Sequence, residues 1–376
     1  MQHKNMLMKR FFLILCAAML FAAAAGAGTP AKNPEKATIP AGSEKVTFIG
    51  RTLQEGGNVS FDWSGVTAVV CFSGTFLELD YDATGDNYVN VWTDMEPAAT
   101  GADVIRLKDG GKAVMVSGLK KGRHTVTIQK RNEGRQGRLT FKGLCTDGEF
   151  LQARSLKDRK IEAIGDSYTC GYGTEGKDRS EGFKVETENC NLTYAAIIGR
   201  FFNADVAYVS HSGQGVARNY GGASPECTMV HRYLRTFDEA VEPIWKVSPS
   251  FIPDIVLIYL GTNDFSTKQQ PILGKWSSDY KTLLQEVRSN YGGSVPILCI
   301  ASKVDDLLAE YVKRAVLDSD IPNVYWTAIH DQAHDITSEL GSGWHPNYKG
   351  HRKVATCIIP YISTITGWEM PFTPVE

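Results

Sequence analysis

Between about residues 45 and 144, apolar and polar side chains alternate in short runs. Clear examples are residues 88–92 and 124–128, and segments rich in glycine, aspartate and asparagine interrupt such runs about every ten residues. A period of two indicates strands with one buried face, and turns at this spacing are typical of antiparallel sheets packed face to face. We therefore predict an all-β, jelly-roll-like sandwich domain over residues 45–150.

After residue 151 the pattern changes to short, wholly apolar runs separated by longer amphipathic segments. Apolar strands that alternate with helices indicate a parallel sheet with helices on both faces. We therefore predict a second, α/β domain over residues 151–370. The predicted strands are 160–164, 205–209, 255–260 and 295–300, and the predicted helices are 192–202, 278–291 and 305–317.

The amino terminus has the pattern of a secretory signal peptide. Lys9 and Arg10 precede an apolar run that extends to about residue 25 and ends in the small residues Ala25-Gly26-Ala27. The run is shorter than the roughly 20 residues that a membrane-spanning helix needs. We predict a signal peptide over residues 1–27, a linker over residues 28–44, and export to the periplasm or the extracellular space.

Composition adds mainly exclusions. The chain has 376 residues, of which 43% are hydrophobic and 22% charged, the mix of a globular protein. A net charge of −2 gives no general attraction to nucleic acid or to anionic membranes. No CxxC motif and no Cys/His cluster has metal-site spacing, so we predict no metal and no cofactor. Cys170 and Cys190 flank a glycine-rich loop and are either a disulfide pair or free thiols.

Polar and glycine-containing segments follow three of the predicted strands, and a fourth, around residue 345, leads into a final helix at the end of the α/β domain. Because the carboxyl ends of parallel strands meet at one edge of a sheet, we expect these segments to lie close together. Each segment by itself is equally typical of an ordinary turn or a helix cap. The four segments are Gly165-Asp166-Ser167, Ser212-Gly213, Gly261-Thr262-Asn263-Asp264 and Trp344-His345-Pro346.

Together the four segments contain the groups that acyl transfer requires. Ser167 is the candidate nucleophile, and His345 is its candidate base because an imidazole titrates near neutral pH. The candidate oxyanion hole consists of the backbone N–H groups of Ser167 and Gly213 and the side-chain amide of Asn263. We therefore predict a serine esterase that works through an acyl-enzyme.

The order Gly-Asp-Ser, then Gly, then Gly-x-Asn-Asp, then His-Pro resembles the four sequence blocks of SGNH (GDSL) hydrolases, whose domain is flavodoxin-like. The chain more closely resembles family 2 carbohydrate esterases, which join an N-terminal jelly roll to a C-terminal SGNH domain. This resemblance implies an acetyl xylan esterase-like enzyme that removes O-acetyl groups from polysaccharides such as xylan or glucomannan, without a cofactor. The segments that carry it are residues 164–173, 187–189, 192–194, 212–213 and 344–346.

One position departs from the wider SGNH pattern. Those enzymes usually have an aspartate three residues before the histidine, but this chain has Ser342 there. The resemblance to family 2 esterases implies a Ser–His dyad in which a backbone carbonyl orients the imidazole. Glu339, Asp331 and Asp335 remain alternative acids for a triad.

Three aromatic residues are candidate stacking faces for a sugar ring, namely Trp344, Trp326 and Tyr259, although large aromatic residues more often belong to a core. The alternative function is an SGNH lipase, thioesterase or arylesterase acting on non-sugar esters. The N-terminal sandwich argues against this alternative, since enzymes for soluble acyl chains have little need of a second β domain. A sugar-binding protein with an inactive esterase centre is a further alternative, which the joint presence of Ser167, Asn263 and His345 disfavours.

Overall fold

The computed structural model describes residues 36–222, 227–302, 306–329 and 338–376. The predicted signal peptide, Asp331 and Asp335 therefore lie outside the described residues. The strands of the N-terminal sandwich are β1 (Ala37–Pro40), β2 (Val46–Ile49), β3 (Leu53–Glu55), β4 (Asn58–Phe61), β5 (Thr67–Ser73), β6 (Leu77–Ala83), β7 (Asn87–Thr93), β8 (Asp103–Leu107), β9 (Gly111–Val116), β10 (Arg123–Lys130), β11 (Leu139–Thr146) and β12 (Phe150–Leu151).

These strands form facing antiparallel sheets. One has the order β3-β4-β11-β6-β9, with β1 also pairing with β11, and the other has the order β12-β5-β10-β7-β8, with β2 pairing with β5. Alternate side chains fill the space between the sheets; the rings of Phe61 and Phe141, for example, meet edge to face with centroids 4.9 Å apart. This confirms the predicted sandwich. Strand β1 lies within the segment that we expected to be a linker, because its alternating residues pair along β11 from Ala37 to Pro40.

The C-terminal part is built on a parallel sheet, as predicted, and its strands have the order β14-β13-β17-β18-β19. Helices α2 and α6 cover one face of this sheet, and α4 and α5 cover the other. Within the described residues, no helix is long and apolar enough to cross a membrane. The strands are β13 (Arg159–Gly165), β14 (Ala204–Ser210), the hairpin β15 (Arg235–Phe237) and β16 (Ala240–Ile244), β17 (Ile255–Tyr259), β18 (Ile297–Ala301) and β19 (Val324–Ala328), and the helices are α1 (Ser167–Cys170), α2 (Tyr194–Phe201), α3 (Met229–Arg232), α4 (Leu273–Tyr291), α5 (Asp306–Leu317) and α6 (Tyr348–Thr366).

Buried polar contacts join the sandwich to the parallel sheet, and residues 36–376 form one compact unit. Arg51, in the turn after β2, pairs with Glu162 of β13 at 3.2 Å, and both side chains are almost fully buried. The indole N–H of Trp63 donates to the carbonyl of Thr236 in β15 at 2.9 Å. Removing one partner of such a buried pair strongly destabilises the folded state. These contacts therefore fix how the sandwich lies against the sheet.

Candidate active site

Ser167 lies at the carboxyl end of β13, an inner strand between β14 and β17, as the first residue of the short helix α1. Asp166 caps this helix, since its Oδ1 accepts the N–H of Tyr168 at 3.1 Å. The turn is tight: a Cβ placed on Gly165 would lie 2.0 Å from Oγ1 of Thr169. A glycine is therefore required at position 165, two residues before the serine, and the turn presents the hydroxyl of Ser167 at the edge of the sheet.

His345 reaches Ser167 from the segment before α6. Its Nε2 lies 2.8 Å from Oγ of Ser167, and its Nδ1 lies 2.9 Å from the carbonyl oxygen of Gly343. Because a carbonyl can only accept, Nδ1 carries the proton and Nε2 is free to accept the proton of Ser167. The turn that makes this contact has Gly343 and Trp344 in left-handed conformations, with φ of 59° and 66°. This is the geometry of a nucleophile and its base.

Burial lowers the pKa of His345 below its ordinary value, although its hydrogen bond to Gly343 works in the opposite direction. The imidazole is therefore neutral near pH 7, as a base must be. Ser342 does not substitute for an acid, since its hydroxyl lies 3.3 Å from the carboxylate of Glu181. The carboxylate of Glu339 pairs with the ammonium of Lys353 in α6. Within the described part of the chain, Nδ1 is thus held by a backbone carbonyl.

The predicted oxyanion donors come from neighbouring strand ends. Gly213 follows β14 with φ of 80°, a conformation that favours glycine. Asn263 follows β17 in a short 3₁₀ turn, Thr262–Phe265. Its amide nitrogen donates to Oδ2 of Asp166 at 3.0 Å and to the carbonyl of Gln214 at 2.8 Å. The side chain lies where the sequence predicted, but its amide hydrogens already have partners, so donation to an oxyanion would require sharing or exchange of a bond.

Asp166 has a role in the site beyond its place in the Gly-Asp-Ser motif. Its carboxyl is almost completely buried, and burial raises its pKa to about 7. The charge of Asp264 acts in the same direction, whereas the hydrogen bonds from Tyr168 and Asn263 oppose it. The third candidate donor is therefore bonded to a carboxyl group that changes charge near neutral pH.

A cleft of about 970 Å³ opens over Ser167 and His345. Trp344 lines it with its side chain largely exposed, and the guanidinium of Arg179 lies 4.4 Å from the centroid of its ring. Tyr220 lines the cleft too and is 68% exposed. Tyr220 was not among the residues predicted from the sequence; the available signal was an aromatic residue beside the glycine pair Gly221-Gly222, where a core residue is not expected.

Two of the three predicted stacking residues do not line this cleft. Tyr259 is buried on the α2–α6 side of the sheet, with its ring 5.2 Å from that of Tyr194, because strand alternation turns it away from the site. Trp326 lies in the edge strand β19, packed near Lys313 of α5. Aromatic character alone did not distinguish these positions from Trp344.

Cys170 and Cys190 are both buried free thiols. Sγ of Cys170 lies 3.5 Å from Oε2 of Glu133, and Sγ of Cys190 lies 3.3 Å from the carbonyl of Lys130. Each thiol has its own partner on the sandwich side, which explains why flanking the same loop does not lead to a disulfide. Burial raises the pKa of both thiols, so they are not reactive thiolates.

Two clusters of ligand-type side chains occur among the described residues, both near the site. In the cluster of Glu133, Cys170 and Glu188, burial and the proximity of Glu133 raise the pKa of Glu188 well above its usual range, which favours a proton over a metal ion. In the second cluster, His211, Asp238 and Glu239, the guanidinium of Arg232 pairs with both carboxylates. Protons and an arginine thus already supply the positive charge that these carboxylates need.

His211 also lines the cleft, although no sequence motif indicated it. Its Nδ1 lies 2.8 Å from Oδ2 of Asp238. Burial alone would lower the pKa of His211, but the charge of Asp238 and this hydrogen bond outweigh burial, and the pKa is raised. A second imidazole, held by a carboxylate, therefore lies beside the loop that contains Gly213.

The chain matches two protein-family models. Residues 48–153 match the family described as Carbohydrate esterase 2 N-terminal, and residues 163–353 match the GDSL-like Lipase/Acylhydrolase family. Among solved structures, a family two carbohydrate esterase from Clostridium thermocellum, in complex with cellohexaose, has a TM-score of 0.79 and 31% sequence identity. That comparison covers 86% of this chain and 100% of the other.

Curated relatives point in the same direction. A cellulase/esterase, CelE, from Acetivibrio thermocellus is 33% identical over 317 residues, which are 81% of this chain. The chain spans only 38% of the length of that relative. An acetylxylan esterase / glucomannan deacetylase from Cellvibrio japonicus is 26% identical, over 82% of this chain and 86% of the relative. Both parts of the chain, and their order, are therefore shared with other proteins.

Proposed function

The chain belongs to carbohydrate esterase family 2, a family of carboxylic ester hydrolases, and from that premise we propose that it removes O-acetyl groups from polysaccharides such as xylan or glucomannan. The observation that carries the proposal is the contact of Ser167 Oγ with Nε2 of His345 at 2.8 Å, with Nδ1 held by the carbonyl of Gly343. This contact supports a Ser–His dyad at the bottom of an open cleft.

In the proposed mechanism, Oγ of Ser167 attacks the acetyl carbonyl carbon while its proton passes to Nε2 of His345. The N–H groups of Ser167 and Gly213 stabilise the resulting oxyanion, and the amide of Asn263 joins them by sharing or exchanging one of its bonds to Asp166 and Gln214. One such donor typically lowers the barrier by about 3 kcal/mol. The imidazolium then protonates the departing sugar oxygen, which leaves acetyl-Ser167. Water then attacks this ester while His345 takes its proton, and the imidazolium returns that proton to Oγ of Ser167 as acetate leaves.

The backbone carbonyl of Gly343 fixes the tautomer of His345 in this scheme, but it carries no full charge to stabilise the imidazolium as an aspartate would. Because burial lowers the pKa of His345, the imidazolium is a strong acid toward the leaving sugar oxygen. The dyad therefore favours protonation of a poor leaving group, and a sugar alkoxide is one.

The cleft itself supports a carbohydrate substrate. The largely exposed rings of Trp344 and Tyr220 offer flat apolar faces beside the nucleophile, and such faces suit the apolar side of a sugar ring. The related structure from Clostridium thermocellum contains cellohexaose, and the relative from Cellvibrio japonicus is named as an acetylxylan esterase / glucomannan deacetylase. We propose a polysaccharide or oligosaccharide as the partner of this chain for the same reason.

We also propose that the enzyme acts outside the cytoplasm, after removal of residues 1–27. The support is the basic start, the short apolar run and the Ala25-Gly26-Ala27 site in the sequence. A polymeric substrate fits this location, because it cannot reach a cytoplasmic enzyme.

Acetate release distinguishes the proposal from its alternatives. The enzyme should release acetate from acetylated xylan or acetylated glucomannan, and the Ser167→Ala variant should lose this activity while still binding the polymer. Faster hydrolysis of 4-nitrophenyl palmitate than of any acetylated sugar would favour a lipase. Polymer binding without acetate release by the unaltered enzyme would favour an inactive binding protein.

A further inference from the structure

We infer that Glu133, a residue of the sandwich part, positions the oxyanion hole of the esterase site. The inference rests on the proposed function, because it assigns Glu133 a role in that same reaction. Glu133 follows strand β10 and begins the short turn Gly134–Gln136. Its carboxylate extends out of the sandwich and into the loops at the carboxyl end of the parallel sheet.

One oxygen of this carboxylate contacts two of those loops. Oε2 of Glu133 accepts the backbone N–H of Ser212 at 2.6 Å, and it lies 3.5 Å from Sγ of Cys170. All three residues are buried. A charge-assisted hydrogen bond of this length, shielded from water, is stronger than an ordinary backbone contact.

Each of these two contacts lies next to a proposed donor of the oxyanion hole. Ser212 directly precedes Gly213, whose N–H is a proposed oxyanion donor, and Cys170 is at the end of α1, the helix that begins with Ser167. One carboxylate oxygen therefore bridges the loops that supply two of the three donors. Oxyanion stabilisation depends on donors that are already in place before the charge develops, so the distance between these loops matters for the rate.

Glu133 is itself held firmly. The buried ammonium of Lys130 donates to the carbonyls of Asn132 and Glu133, at 2.6 and 3.0 Å. The next residue, Gly134, packs so closely on the hairpin that a Cβ there would lie 2.5 Å from Cβ of Asp238. The sandwich thus provides a rigid support for the carboxylate, which a mobile surface side chain would not.

Oε2 of Glu133 also lies 3.9 Å from Nδ1 of His211. Glu133 could therefore affect the reaction through its negative charge instead of through its hydrogen bond to Ser212. Substitutions separate the two. Glu133→Gln keeps the length and an acceptor for Ser212 but removes the charge, and its new NH2 group has the nearby carboxyl of Glu188 to donate to. Glu133→Met keeps the length but removes the acceptor. Glu133→Asp keeps the charge but shortens the side chain by about 1.5 Å.

We expect Glu133→Gln to keep kcat for 4-nitrophenyl acetate within about fivefold of the unaltered enzyme. Glu133→Met and Glu133→Asp should lower kcat about 100-fold, the typical effect of losing one oxyanion donor, with KM changed less than about threefold. A boronic acid that forms a tetrahedral adduct with Ser167 should lose affinity in parallel with kcat, because its oxygen occupies the same hole. The melting temperature of each variant shows whether it is folded.

Arg51→Met serves as the matched control, since it also breaks a buried contact between the sandwich and the sheet, but one that involves no residue of the cleft. It should lower the melting temperature and leave kcat unchanged. The inference is overturned if folded Glu133→Met keeps its kcat, or if Glu133→Gln is as impaired as Glu133→Met. Normal acetyl-ester hydrolysis by the unaltered enzyme in those same assays would show that only this inference, and not the proposed function, has failed.

Discussion

Nδ1 of His345 lies 2.9 Å from the carbonyl oxygen of Gly343, two residues earlier in the same turn. The partner of the proposed base is thus local in sequence, whereas an aspartate partner would be a side chain held by other contacts. Because Gly343 and Trp344 both have positive φ, the turn that makes this contact is demanding for its residues.

The first prediction concerns the three acidic residues that are alternative partners of His345 in a triad. Replacing Glu339 with Gln should leave kcat within about threefold, because its carboxylate pairs with Lys353, whereas Nδ1 of His345 is held by the carbonyl of Gly343. Replacing His345 with Ala should lower kcat by about 10⁴-fold or more. Asp331→Asn and Asp335→Asn, measured in the same series with 4-nitrophenyl acetate, should also change kcat only slightly. A loss of several orders of magnitude at any one acid would establish a triad.

The second prediction is that restoring the usual acid does not help. Ser342→Asp should destabilise the protein by about 1–3 kcal/mol and should not raise kcat, because the site has no room. A Cβ on Gly176 would lie only 2.0 Å from Oγ of Ser342, and the new charge would face Glu181. Denaturant unfolding and kcat decide this, with Ser342→Ala as the control of similar size. A Ser342→Asp variant that is faster than the unaltered enzyme would contradict the steric argument.

The third prediction concerns the pH profile of kcat/KM. Burial lowers the pKa of His345, so the neutral base persists to lower pH than a free imidazole would allow. The acidic limb should therefore have its midpoint below about 6.5. A further limb near pH 7 would belong to Asp166, whose pKa burial raises to about 7.

The Asp166→Asn variant assigns these limbs, since Asn also caps a helix but does not titrate. A limb near pH 7 should vanish in this variant, and the limb of His345 should remain. An acidic limb centred above pH 7 in both proteins would show that the pKa of the base is raised, against the prediction.

The fourth prediction concerns stability and pH. Burial, followed by the charge of Asp238, raises the pKa of Asp62 from 3.8 to about 6. Unfolding lets this carboxyl ionise more easily, so its contribution to the free energy of unfolding should fall by up to about 3 kcal/mol as the pH rises from 4 to 6. Urea unfolding of the unaltered protein and of Asp62→Asn at several pH values measures this. The difference between the two should be flat above pH 6, and a difference that grows in favour of the unaltered protein between pH 4 and 6 would have the wrong sign.

The fifth prediction concerns substrate binding. Trp344→Ala should raise KM for acetylated xylan by about two- to tenfold, the effect of losing one ring contact, and should leave KM for 4-nitrophenyl acetate unchanged. Trp326→Ala is the control, because this ring lies in β19 and away from the cleft. Equal effects of the two substitutions on the polymer would argue against stacking at Trp344.

The sequence was sufficient to predict both parts of the fold, the sandwich and the α/β part. It also predicted four residues that the structure brings together around the cleft. Ser167, Gly213 and Asn263 follow strands of one parallel sheet, so a general rule about strand ends places them together without any knowledge of contacts. His345 could be added because its type and position matched the chemistry that the other three require.

The remaining features depend on long-range contacts that leave no periodic signal. Glu133 meets Ser212 across 79 positions of sequence, and nothing near residue 133 indicates which loop it will reach. Tyr259 was misplaced for a different reason: the wholly apolar pattern of a central parallel strand does not reveal which face each residue occupies. The thiols of Cys170 and Cys190 likewise depend on partners in the sandwich.

The hydrogen bond between Glu133 and Ser212 has a consequence for protein engineering. Its two residues fall in segments that match different family models, so a recombination junction between residues 153 and 163 would separate them. A chimera that takes its jelly roll from one esterase and its hydrolase half from another would inherit a mismatched pair unless both sides supply compatible groups. In such chimeras the two halves of this enzyme should therefore be exchanged together.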